Sequence, residues 1–165
     1  MSPAILEIDV TLTPDDSLKN RIRFSFSSTS PCLDDEEGNI TLPPNGRETK
    51  IRFHLVTKTI TWAKGPHVGT FNVGLLTGKD AAAEETLWIW PRGADKKKAL
   101  PEIYSRYEFC DGADGTKHRH VCVHSANSKK EQHDYGLAVG IEVAKDTIEV
   151  VRNDPRIRNG GTSID

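Results

Sequence analysis

Apolar and polar residues alternate one by one along much of this chain. Leu6, Ile8, Val10 and Leu12 fall on one side of a two-residue register, and Glu7, Asp9 and Thr11 on the other. That period belongs to a strand with one buried and one wet face. Ile22, Phe24 and Phe26 repeat the pattern against Arg21, Arg23 and Ser25, as do Ile51, Phe53 and Leu55 against Lys50, Arg52 and His54. The longest run is Tyr135, Leu137, Val139, Ile141 and Val143, with Ile148 and Val150 continuing it after a turn at Ala144-Lys145-Asp146. Strands with one wet face point to antiparallel sheets.

Turn-forming clusters separate the runs. They include Thr13-Pro14-Asp15-Asp16, Glu37-Gly38-Asn39, Pro43-Pro44-Asn45-Gly46, Lys64-Gly65-Pro66 and Asp111-Gly112-Ala113-Asp114-Gly115. Gly and Asx residues supply the positive φ and local hydrogen bonds of turns, and Pro fixes φ. Many short strands punctuated in this way predict an all-β sandwich of about 7–9 antiparallel strands. Helical signal is confined to one or two short turns, at 79–85 and 94–99. The chain carries no internal repeat or linker, so residues 1–160 read as one domain and 161–165 as a flexible tail.

Composition narrows the function classes. The 165 residues carry 22 Lys and Arg against 24 Asp and Glu, for a net charge of −2. Nucleic-acid modules show a basic excess or stripe, which is absent here. Apolar runs are only a few residues long, so no membrane span is expected. The N-terminus has neither a basic start nor a continuous apolar stretch, so no secretory signal is read there. With three cysteines, Cys32, Cys110 and Cys122, this predicts reduced thiols and a cytoplasmic location.

The last thirty residues carry the most specific pattern. The alternating run from Tyr135 to Val143 leads through a turn and a short strand to Asp154-Pro155-Arg156-Ile157-Arg158-Asn159. This resembles the C-terminal signature of the DP-EP family of small bacterial proteins of unknown function. The resemblance implies an immunoglobulin-like β-sandwich and no reaction. The chain departs from the pattern where Gly160-Gly161 stands in place of Glu-Pro. Physically, Asp154 before proline favours extended backbone, and Pro155 cannot donate to a ladder. Ile157 should anchor the tail in the core while Arg156 and Arg158 stay wet or form an anion site.

One cluster has metal-ligand chemistry. On a strand, His118, His120, Cys122 and His124 share a face, with Val121 and Val123 on the other. Placing Tyr107 and Phe109 in the core with those valines sets Cys110 opposite His118 and Glu108 opposite His120. Glu108, Cys110, His118, His120, Cys122 and His124 would then form a polar face of zinc or copper ligand types. The alternative is a plain wet strand face, since no Cys-x-x-Cys or His-Glu-x-x-His spacing occurs.

A second cluster is aromatic. Trp88 and Trp90 share one face of Leu87-Trp88-Ile89-Trp90, and both faces are apolar. This is either a strand buried between layers or an exposed platform for a ligand or a second subunit. The face opposite the Tyr135–Val143 run reads Gly136, Ala138, Gly140, a smooth strip suited to close approach. Either tryptophan could fill the strip within the chain; otherwise it would offer a surface to a second one. With no Gly-x-Ser-x-Gly elbow, P-loop or Gly-x-Gly-x-x-Gly motif, the expectation is a non-enzymatic binding or assembly module using Trp88, Trp90, Gly136, Ala138 and Gly140. Its partner would be a protein or a second copy. The alternative function is zinc or copper binding on the His/Cys face.

Overall fold

The computed structural model describes residues 4–44, 46–75, 86–91, 104–110, 119–128, 132–145, 147–153 and 156–158. Its named elements are strands: β1 (Ala4–Pro14), β2 (Ile22–Ser27), β3 (Ile40–Thr41), β4 (Thr49–Leu55), β5 (Thr59–Trp62), β6 (Gly69–Leu75), β7 (Leu87–Pro91), β8 (Tyr104–Glu108), β9 (His120–Ser125), β10 (Gln132–Ala144), β11 (Thr147–Asn153) and β12 (Arg156–Arg158). They form two sheets. One runs β2-β1-β4-β9-β8; the other runs β3-β12-β10-β6-β5, with β11 and β7 also paired to β10. The helical turns expected at 79–85 and 94–99, and the tail 161–165, lie outside the described residues.

The core lies between the sheets. Leu6, Ile8 and Val10 of β1, Ile51, Phe53 and Leu55 of β4, and Val121 and Val123 of β9 face Leu87, Ile89, Tyr135, Leu137, Val139 and Ile141 of the second sheet. The Phe53 and Tyr135 rings meet across the gap with centroids 5.3 Å apart. Tyr107 and Phe109 pack on this core as expected. The all-β sandwich read from the alternation is therefore the fold. No helix among the described residues is long and apolar enough to cross a membrane.

The named strands outnumber the expected 7–9, and two pairs of them share a line along β10. On one side, Leu75 pairs with Val139 and Leu87 with Leu137, so β6 and β7 follow one line along β10 with Ala138 between their paired positions. On the other side, Asn153 pairs with Leu137 and Arg156 with Asp134. Two residues stand between these pairs on each strand, so β11 and β12 keep one register across Asp154-Pro155. Ile157 is buried, the anchor expected of it.

Two pairings are parallel, β1 with β4 and β12 with β3, so the sheets are mixed rather than purely antiparallel. Alternation reports which face is wet and says nothing of strand direction. The parallel β12–β3 pair sets Ile157 beside Ile40 and Arg158 beside Thr41. The C-terminal strand thus abuts the segment that follows the acidic run Asp34-Asp35-Glu36-Glu37. Asp35 closes that run into a tight hairpin, accepting from the Glu37 and Asn39 amides and the Asn39 side chain. At Gly38, φ is +95° and an added Cβ would press on Phe26 and on the Tyr135 hydroxyl, so only glycine fits. Tyr135 donates to the Gly38 carbonyl at 2.6 Å, tying the hairpin to β10.

Candidate functional site

The expected metal face lies on the outside of the five-stranded sheet, and its chemistry differs from the expectation. Cys110 and Cys122 form a disulfide, with Cα atoms 5.9 Å apart. Cys32 is the remaining, free cysteine. The expectation of reduced thiols is thus corrected, and neither bonded sulfur is available as a thiolate ligand. The cause is a register difference. An irregularity between Ser105 and Glu108, where Arg106 takes φ 56°, sets Glu108 opposite Cys122 rather than His120. Cys110 follows two residues later and donates its amide to the His120 carbonyl, which brings it diagonally onto Cys122. His118 lies outside the described residues.

The parallel β1–β4 and antiparallel β4–β9 registers align three side chains that the sequence reading did not combine. Asp9 stands opposite His54, and His54 opposite His120. The two imidazoles stack with centroids 4.2 Å apart and planes within 4°. Asp9 Oδ1 lies 3.2 Å from His54 Nδ1. Imidazole binds a metal in its own ring plane, so two parallel stacked rings do not chelate one ion as they stand. His124 is turned to Glu48, with Nδ1 2.9 Å from Oε1, and is buried. Among the described residues no three His, Cys, Asp or Glu side chains form a group that could hold a metal ion. The face expected to be wet is largely covered, since Cys122 and His124 are both buried.

Two other histidine neighbourhoods are structural. His133 points into the sandwich, where its Nδ1 is 2.9 Å from the Tyr104 hydroxyl. Ser125 and His124 are successive on β9 and so face opposite ways.

The tryptophan strand is β7, paired to the N-terminal half of β10. Leu87 and Ile89 are fully buried in the core, Trp90 is 5% exposed, and Trp88 is half-buried. Trp88 pairs directly with Gly136, and Gly74 with Gly140. Gly136, Ala138 and Gly140 are all buried within the one chain. Trp88 thus lies beside the smooth strip, as the intramolecular reading of that strip required.

Exposed apolar area lies on the other side of β10. Ile148 is 53% and Val150 46% exposed, on β11. The alternation had placed both with the core-facing residues of β10. A register irregularity between Glu142 and Ala144 resets the parity at the turn. Ile148 then pairs with Glu142 and Val150 with Gly140 on the outer face, while Val151 pairs with Val139 inside. The adjacent Val150-Val151 was the one local sign that strict alternation had failed. Glu149 falls on the inner side of β11, where its carboxylate lies 3.3 Å from His67 Nε2.

A small cleft of about 80 Å³ opens beside this strand, lined by Lys19, Asn20, Arg21, Trp62, Pro66, His67 and Glu149. It is the product of a clasp. Arg21 lies over the Trp62 ring at 5.9 Å, and its carbonyl accepts from Trp62 Nε1. Its guanidinium donates to Asp16 and to the Lys64 carbonyl. Gly65, at φ +105°, leaves the space that the guanidinium fills. Arg21 is thus committed to joining two hairpin ends.

The chain matches no model of a known protein family, and no curated protein matches it.

Proposed function

We propose that this chain is a non-enzymatic binding or assembly module that works through the outer face of its seven-stranded sheet, along β10 and β11. The observation that carries this reading is the exposure of Ile148 and Val150 side by side on β11. Scattered apolar side chains are ordinary on a surface. Two on the same face of one strand form a local apolar patch instead. The likeness of the last thirty residues to the DP-EP family fits, because no reaction goes with that resemblance. The disulfide favours an oxidising compartment over the cytoplasm.

A photo-crosslinking residue in place of Val150 tests this, with the same residue at exposed Thr61 as control. The expected result in an extract of the source cells is a discrete adduct from position 150 only. Unlabelled wild-type chain should compete it away, and an Ile148→Lys/Val150→Lys chain should not. Equal labelling from both positions, or none, overturns the reading.

A further inference from the structure

We propose that the Cys110–Cys122 disulfide is the oxidised form of a zinc site. Reduction turns the outer face of β8, β9 and β4 into a centre with four ligands: Cys110, Cys122, His120 and His54. In the disulfide-bonded chain both sulfurs are consumed, and no metal-holding group exists among the described residues. Breaking that bond frees two thiols beside two imidazoles. The register brings them together. Glu108 pairs with Cys122, and the Cys110 amide donates to the His120 carbonyl, which sets Cys110 opposite His120. His120 and Cys122 are two residues apart on β9 and share a face. His54 lies opposite His120 on β4. Residues directly opposite on antiparallel strands have Cβ atoms about 5 Å apart, close enough for their side chains to meet on one tetrahedral ion.

His54 also has the outer contact of a zinc histidine. Its Nδ1 lies 3.2 Å from Asp9 Oδ1, which leaves Nε2 for the metal. Zinc-bound histidines ordinarily donate their second ring N–H to a carboxylate or carbonyl. The two rings are stacked in the disulfide-bonded chain, so one turns out of the stack when the ion enters. The redox step balances with a dithiol as reductant. One of its thiolates attacks Sγ of half-buried Cys110, since Cys122 is fully buried. The Sγ–Sγ bond breaks, a mixed disulfide forms and Cys122 leaves as a thiolate. The second thiolate of the reductant then releases Cys110 and closes the reductant's own disulfide. Two electrons have passed to the chain. Zinc takes both thiolates, and the two protons of the dithiol go to solvent. The ion then ties β8 to β9 as the disulfide did.

Equilibrium dialysis of the full chain, in a Cys32→Ser background, against micromolar zinc tests this. With a phosphine reductant the chain should retain zinc in equimolar amount; without it, none. Cobalt in place of zinc should give the visible bands of a tetrahedral site and a near-ultraviolet thiolate charge-transfer band. Cys110→Ser/Cys122→Ser and His120→Ala should each lose that spectrum. Asp9→Asn should weaken zinc binding about 10–100-fold. Zinc should also restore the urea midpoint that reduction lowers, a readout that holds even where the metal-free reduced chain is partly unfolded. A reduced chain that retains no zinc overturns the proposal. So does zinc retained equally by the disulfide-bonded chain, by Cys110→Ser/Cys122→Ser or by His120→Ala. Failure here leaves the β11 reading untouched, because the two faces belong to different sheets.

Discussion

Opening the Cys110–Cys122 bond should destabilise the fold by about 3 kcal/mol. The bond closes a loop of sequence separation 12. Loop-closure entropy for such a length is worth about 3 kcal/mol at room temperature on the chain-entropy model. The structure says where the loss falls. β8 is an edge strand whose pairing to β9 is interrupted between Ser105 and Glu108. The disulfide therefore pins an edge strand whose ladder is interrupted. Urea unfolding with and without a phosphine reductant measures the effect without mutation. With a slope of about 2 kcal/mol per molar, the midpoint should fall by about 1.5 M. Amides of β8 should lose hydrogen-exchange protection before those of β4. Thiol alkylation of the denatured, unreduced chain should label Cys32 alone. Labelling of all three cysteines, or superimposable unfolding curves, would refute the reasoning.

Three further outcomes follow from particular contacts. Tyr135 is fully buried, and burial, together with the Asp35 charge, holds its hydroxyl well above the ordinary tyrosine value of 10.0; in alkaline titration its phenolate absorbance should appear only as the protein unfolds. Tyr135→Phe, which strands the Gly38 carbonyl, should cost about 1–3 kcal/mol in urea unfolding. Asp35 is held below its ordinary value of 3.8: partial desolvation pushes upward, but the hydrogen bonds from Asn39, Glu37 and Gly38 together outweigh it. Its contribution is therefore complete above 3.8 and lost as pH falls below that value, so Asp35→Asn should flatten the acid limb of the stability profile. Gly65→Ala places a side chain at positive φ and on the Arg21 guanidinium; a loss of about 1–3 kcal/mol is expected, and unchanged thermal unfolding would count against the clasp.

Much of the fold was legible because alternation reports burial directly. Tyr135, Leu137, Val139 and Ile141 are buried on one strand, as their spacing implied. The opposite face of that strand was legible only as a pair of alternatives, a tryptophan of the chain or a second chain beside the strip, and the register sets Trp88 next to Gly136. The disulfide was not legible. Two cysteines twelve residues apart meet only because one bulge shifts β8 against β9, and a bulge leaves no mark in polarity. The Asp9–His54–His120 row depends on the parallel β1–β4 pairing, which alternation cannot orient. Ile148 and Val150 were misplaced for the same kind of reason, by an irregularity at the end of β10 that exchanged the faces.

The role of Ile148 and Val150 as the binding patch is tested most directly by the photo-crosslink at position 150. The predicted result is a discrete adduct from that position alone, lost when unlabelled wild-type chain competes. Equal labelling from positions 150 and 61, or none from either, would contradict it.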